Sequence, residues 1–206
     1  MSVRDERRTV VSGPAGGLEV VLNVPEANPR AIALIAHPHP LQGGTLDNKV
    51  VQTLARTFAA LAYVAVRFNF RGAGRSEGTF DDGRGEAEDA LAALAFARGE
   101  FEQLASAAPV LAGFSFGSYV QTLVAGSVVP ERMVLVGPAV KRFELPHVPQ
   151  DTIVIHGEDD DVVPLADVLA WARPQQLPVI VFPGCGHFFH GRLPQLQRVV
   201  IGMWQR

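Results

Sequence analysis

The segment Gly113-Phe114-Ser115-Phe116-Gly117 constrains this chain more than any other, because of what stands on either side of it. Pro109-Val110-Leu111-Ala112 is a short apolar run leading in, and residues 119–125 read as a helix leading out. Strand, sharp turn and helix in that order form the setting in which a serine hydroxyl is presented at the top of a sheet. Glycines two positions before and after the serine let backbone segments approach where a Cβ would clash. The plainer alternative is a tight turn whose serine caps the following helix. The rest of the chain bears on the choice.

The order of elements supports a sheet beneath that turn. Residues 31–36, 63–70, 110–112, 133–136, 153–155 and 179–182 are apolar runs that read as strands. Residues 49–61, 86–96, 119–125, 165–171 and 196–203 lie between or after them and carry apolar positions at helical spacing. Strands that alternate with helices and are apolar on both faces predict a mostly parallel sheet with helices on each side. Thr9-Val10-Val11 and residues 18–22 are joined by Gly13-Pro14-Ala15-Gly16-Gly17, a hairpin signal, so the sheet is expected to begin with an antiparallel N-terminal edge.

No Pro/Gly/Ser-rich linker divides the 206 residues, which predicts a single domain over residues 1–206. A hydrophobic share of 48% with 19% charged residues is enough to build a substantial globular core. The net charge of −3 gives no attraction to nucleic acid or to an anionic membrane. Residues 1–8 are charged and lack the apolar stretch of a signal peptide, and apolar runs such as Ala31–Ala36 are too short to span a bilayer. Cys185 is the only cysteine, which suits a reducing compartment, so the expected location is cytoplasmic.

A serine hydroxyl is a poor nucleophile until a base takes its proton, and the base needs a carboxylate to orient it. In open α/β sheets such groups sit at the carboxyl ends of strands. The run His156-Gly157-Glu158-Asp159-Asp160-Asp161-Val162-Val163-Pro164 follows one strand, and Asp160 is its central acid, with Asp159 and Asp161 as neighbours in register. Pro183-Gly184-Cys185-Gly186-His187-Phe188-Phe189-His190 follows the last strand, where His187 is the first candidate base and His190 the alternative. The oxyanion of a tetrahedral intermediate needs preorganised donors. The backbone N–H of Phe116 is one candidate. The loop His37-Pro38-His39-Pro40-Leu41 supplies the other; prolines lack an N–H, so His39 is the first choice and Leu41 the second. His37 is expected to bond nearby backbone.

Other features read as structure. His37-x-His39 lacks a second ligand pair at metal spacing, so neither a metal nor any other cofactor is expected. Arg71-Gly72-Ala73-Gly74-Arg75-Ser76 lacks the third glycine of a dinucleotide fingerprint, and Arg71 and Ser76 are expected to tie down a turn. Cys185 is read as a small space-filling residue.

Taken together, these segments resemble the α/β-hydrolases, and more closely the small lidless bacterial serine hydrolases related to dienelactone hydrolase. The matching stretches are the run from His37 through His39, Gly43-Gly44 and Asp47 to Val50, Phe70 to Ser76, Gly113 to Gly117, His156 to Pro164, and Gly186 to Gly191. The chain order Ser115, Asp160, His187 is that of the α/β-hydrolases. The resemblance implies an α/β-hydrolase fold without a lid domain, with the nucleophile at Ser115, the acid at Asp160, the base at His187 and oxyanion donors at Phe116 and His39. Dienelactone hydrolases proper carry cysteine where this chain has Ser115. The expected activity is hydrolysis of small or short-acyl esters through an acyl-enzyme, since residues 137–152 are too few for a helical cap. A small-molecule ester is the expected partner. An acyltransferase or peptidase using the same residues, or a non-catalytic binding protein on this fold, are the alternatives.

Overall fold

In the computed structural model, which describes residues 3–204, strand β3 (Ala31–Ala36) shows why the chain folds in layers. All six of its residues are buried, but in two different cores. Ala31, Ala33 and Ile35 pack with Val50, Leu54 and Phe58. Ile32, Leu34 and Ala36 pack with Ala90, Ala93, Leu94 and Phe116. Successive strand side chains point to opposite faces, so a strand that is apolar throughout must be covered on both.

Helices α1 (Lys49–Ala60) and α5 (Leu193–Trp204) cover the first face, and α2 (Arg84–Glu100) and α3 (Phe116–Val124) the second. Helix α4 (Leu165–Ala172) packs Val168 against Val154. The remaining strands are β1 (Val3–Gly13), β2 (Gly16–Pro25), β4 (Tyr63–Phe68), β5 (Val110–Phe114), β6 (Arg132–Val136), β7 (Ile153–Gly157) and β8 (Val179–Phe182). They form one eight-stranded sheet in the order β1-β2-β4-β3-β5-β6-β7-β8. Every pairing from β4 to β8 is parallel, and β1 and β2 add an antiparallel edge, as the sequence predicts. Among the described residues no helix is long and apolar enough to cross a membrane.

The hairpin is longer and tighter than its apolar residues suggest. Its ladder runs from Val3↔Pro25 to Gly13↔Gly16, leaving only Pro14-Ala15 in the turn. The added length is charged: Arg7 meets Glu100 at 3.2 Å, and Arg8 meets Asp47 at 2.7 Å and Glu19 at 3.1 Å. A charged outer strand also discourages pairing with another chain.

The strand order sets the position of the site. From β3 the chain crosses to β4 on one side, then returns to β5 on the other. The loops after β3 and β5 therefore diverge at the carboxyl edge, leaving the crevice in which open α/β sheets bind ligands.

Candidate active site

Ser115 stands at the end of β5 with φ 55° and ψ −118°, outside the regions favoured by residues with a side chain. Such a conformation costs about 1–3 kcal/mol and persists only where the surroundings over-determine it. Here the Ser115 N–H donates to Val136 O at 2.9 Å, and the Ser115 carbonyl accepts from Ser118 N–H at 2.9 Å. Two side chains of α3 brace the turn from beneath. Ser118 Oγ donates to Gly113 O at 2.9 Å, and Gln121 Nε2 bridges Leu34 O (2.9 Å) and Ala112 O (3.0 Å). The flanking glycines are required by close approach: a Cβ on Gly113 would strike the Gly117 backbone, and one on Gly117 would strike the carbonyls of Ala36 and His37. Ser115 occupies the N-cap position of α3 yet makes no capping bond. Its hydroxyl is turned away from the use that a serine ordinarily has there.

The other two candidates come from neighbouring strand ends. His187 Nδ1 lies 2.6 Å from Asp160 Oδ2, and both groups are buried. Asp160 Oδ1 accepts the N–H groups of Val162 (3.0 Å) and Val163 (2.7 Å). Burial by itself would raise the Asp160 pKa, but the bonds from His187 and Val163 outweigh it and hold the carboxyl below its ordinary range. An ionised carboxylate only accepts, so Nδ1 of His187 carries the proton and Nε2 is left with its lone pair. The ring lies 4.9 Å from that of Phe114, and Gly137, at φ 52°, leaves room beside it. Asp159 and Asp161 are exposed, as is His190, so of the alternatives in register it is Asp160 and His187 that meet. Ser115 and His187 line one cleft of about 100 Å³ with His39, Asn48 and Phe188.

The loop after β3 is held by His37. Its Nδ1 donates to Pro38 O at 2.6 Å, and its Nε2 accepts the N–H of Phe70 at 3.0 Å. Complete burial pushes its pKa down to about 3, so the ring is neutral and both nitrogens are engaged in the protein. A trans peptide directs its C=O and N–H oppositely. The bond that draws the Pro38 carbonyl towards His37 therefore turns the His39 N–H the other way. Among the described residues neither the His39 nor the Phe116 N–H bonds a backbone carbonyl. Leu41, the second choice, lies in a 3₁₀ turn with its side chain 71% exposed.

Several contributors carried no signal strong enough to single them out. His156 packs under the acid, its Nε2 donating to Val163 O at 2.8 Å and lying 3.4 Å from Asp160 Oδ2. Ser118 and Gln121 are polar residues three apart on the sheet-facing side of α3, a pattern visible in hindsight as braces. The segment 137–152 forms no helix, yet Ala139, Lys141, Arg142 and Phe143 wall a second cavity of about 330 Å³ shared with His39, Ser115 and Phe116. Cys185 is buried in the core beside Phe182 and Phe189, where burial pushes its thiol pKa up. Arg71 grips Asp89 at 3.0 Å, and Ser76 Oγ donates to Asn69 O at 2.7 Å, tying down their turn as expected.

Fold, elbow and strand-end side chains define the class of α/β-hydrolases with the serine-hydrolase architecture. Residues 17–141 match the family described as X-Pro dipeptidyl-peptidase (S15 family), and the chain belongs to that family within the α/β-hydrolase superfamily. It is similar to an α/β serine hydrolase homologue from Coxiella burnetii, with 36% identity, a TM-score of 0.87 and coverage of 98% of this chain and 97% of that one. It is also similar to an α/β serine hydrolase without lid from Xanthomonas campestris, with 32% identity, a TM-score of 0.90 and coverage of 98% and 95%. An uncharacterized protein of Rickettsia prowazekii is 32% identical over 203 residues, 92% of this chain and 84% of that one.

Proposed function

We propose that this protein is a serine esterase acting on small or short-acyl esters, with Ser115 as nucleophile, His187 as general base and acid, and Asp160 as the orienting carboxylate. The observation that carries the reading is the unused hydroxyl of Ser115, held in a strained turn beside a histidine whose partner carboxylate fixes its tautomer. His187 Nε2 takes the Ser115 proton as Oγ attacks the ester carbonyl. The N–H groups of Phe116 and His39 receive the oxyanion, the first aided by the positive end of α3. The carbonyl–alkoxy bond breaks as His187 returns the proton to the leaving alcohol, and water then repeats the sequence on the acyl-enzyme. No metal or organic cofactor is needed for these steps, and the reacting partner is a small molecule. The lone buried cysteine suits a reducing compartment, and we place the protein in the cytoplasm.

The S15 description raises a second reading, cleavage after an X-Pro dipeptide. Such a peptidase must receive a free α-ammonium. The cavity next to Ser115 carries Lys141 and Arg142 instead, which would repel it. The family match also stops at residue 141, before the loops of Asp160 and His187. An acyltransferase or a binding protein on the same scaffold lacks a comparable supporting observation. A panel of p-nitrophenyl esters of increasing chain length, run beside Ala-Pro-p-nitroanilide with wild type and Ser115→Ala, tests the proposal. Ester turnover that depends on Ser115 and outpaces the anilide supports it; turnover of the anilide alone overturns it.

A further inference from the structure

Two hollows meet at Ser115, and they differ in chemistry. The smaller, about 100 Å³, includes His187, Phe188 and Asn48. The larger, about 330 Å³, includes Phe116, Phe143, Lys141 and Arg142 but not His187. If His187 hands its proton to the departing alcohol, that alcohol must lie on the His187 side. The acyl part is then left for the larger cavity.

That cavity has apolar walls and a cationic mouth. Some arginines of the fold are matched by acids, among them Arg8 by Asp47, Arg67 by Glu6 and Arg71 by Asp89. Among the described residues Lys141 and Arg142 have no carboxylate in ion-pair contact, and the Arg142 guanidinium rests over the Phe143 ring at 5.7 Å. His39 also lines this space. His39 is 5% exposed, lies 4.7 Å from the Phe80 ring and 5.0 Å from the Phe116 ring, and neither of its ring nitrogens has a hydrogen-bond partner. Buried polar atoms are ordinarily satisfied, so this unpaired imidazole beneath the cavity wall is a polar group that the fold itself leaves unused. Burial first, and then the Arg142 charge, lower the His39 pKa, while the opposing pull of Asp82 is weaker. Its ring is neutral, with one N–H to donate.

We infer that the larger cavity holds an acyl chain ending in a carboxylate, so that the preferred substrates are hemiesters of short dicarboxylic acids with small alcohols. The inference rests on the esterase reading above. The methylenes lie along Phe116, Phe143 and Val163, and the terminal carboxylate meets Lys141 and Arg142. Both cations are exposed, so the gain is one moderate charge-assisted contact, about tenfold in kcat/KM.

The test compares monomethyl glutarate with methyl pentanoate, which replaces the free carboxylate with a methyl group at equal length. Wild type is expected to favour the hemiester about tenfold. The Lys141→Ala/Arg142→Ala variant is expected to bring the ratio near one, and Lys141→Glu/Arg142→Glu to invert it. A wild-type ratio of one or less, or a ratio that survives both variants, overturns the inference. Calorimetric binding of monomethyl glutarate to Ser115→Ala separates this outcome from failure of the esterase reading. Binding that disappears with the two cations supports the anionic subsite even without turnover, whereas no binding, or binding indifferent to the cations, overturns it.

Discussion

The buried ring of His37 accepts the N–H of Phe70 at 3.0 Å, joining the loop after β3 to the end of β4. The neighbouring bond to Pro38 O uses the other nitrogen, so protonation of the ring would break the contact with Phe70. With the folded pKa pushed down to about 3, and an unfolded histidine titrating near 6.5, the unfolded chain binds the extra proton between those values. Stability therefore falls as pH drops from about 6.5 towards 3, by up to about 1.4 kcal/mol per unit for this group. His39 and His156 are shifted in the same direction and add to the slope. Asp160, whose pKa is depressed, stabilises at any pH above its unfolded value near 3.9 and loses that effect only at lower pH. Urea unfolding at pH 7, 6 and 5 is expected to show this slope, and His37→Gln to flatten it by about 1 kcal/mol per unit. Equal slopes would refute the role given to His37.

Asp160→Asn is expected to lower kcat by about 10³–10⁴-fold, because an amide can hold His187 in the wrong tautomer and cannot stabilise its protonated form. Asp159→Asn and Asp161→Asn, whose side chains are exposed, are expected to change kcat less than about threefold. Circular dichroism separates this from unfolding, since Asp160 also accepts two loop N–H groups.

Gly117→Ala places a methyl group against the Ala36 and His37 carbonyls, which belong to backbone and cannot swing aside. We expect about 1–3 kcal/mol of destabilisation with loss of most activity, since the shift falls on both the Ser115 turn and the His39 loop. Wild-type melting and turnover would show that the two segments are less tightly apposed.

Esters from acetate to hexanoate are expected to react faster than those of twelve carbons or more, with no jump in rate at the micelle threshold. The larger cavity, about 330 Å³, is at the small end of ligand pockets, which span about 300–1,000 Å³. Segment 137–152 forms no helix that could open as a lid. Its side chains do give more apolar wall than a bare gap between strands suggests, so the preference is set by cavity size. A rate that climbs with chain length past ten carbons would contradict this.

The sheet, its order of elements and its edge were legible because β3 to β7 are apolar on both faces, a signal that survives in a single sequence. The full length of β1 was not, since Asp5 to Arg8 carry no alternation, and it is ion pairs to residues distant in sequence that hold Glu6 to Arg67, Arg7 to Glu100, and Arg8 to Glu19 and Asp47. Asp160 was separable from Asp159 and Asp161 only by counting from the turn; geometry distinguishes it through the two loop N–H groups and His187. Lys141, Arg142 and Phe143 left no motif, because they reach the cavity through an irregular segment whose path depends on Gly137 and the sheet edge. His156 looked like part of a strand-end turn, and its contact with Asp160 appears only once the loop folds back.

The central claim is that Ser115 is a nucleophile activated through His187. Incubation with a fluorophosphonate, followed by peptide mapping, tests it most directly. The account predicts one adduct, on Ser115, formed by wild type, slowed by orders of magnitude in Asp160→Asn and absent from Ser115→Ala. An adduct on another residue, or a folded wild-type protein that remains unlabelled, would contradict it.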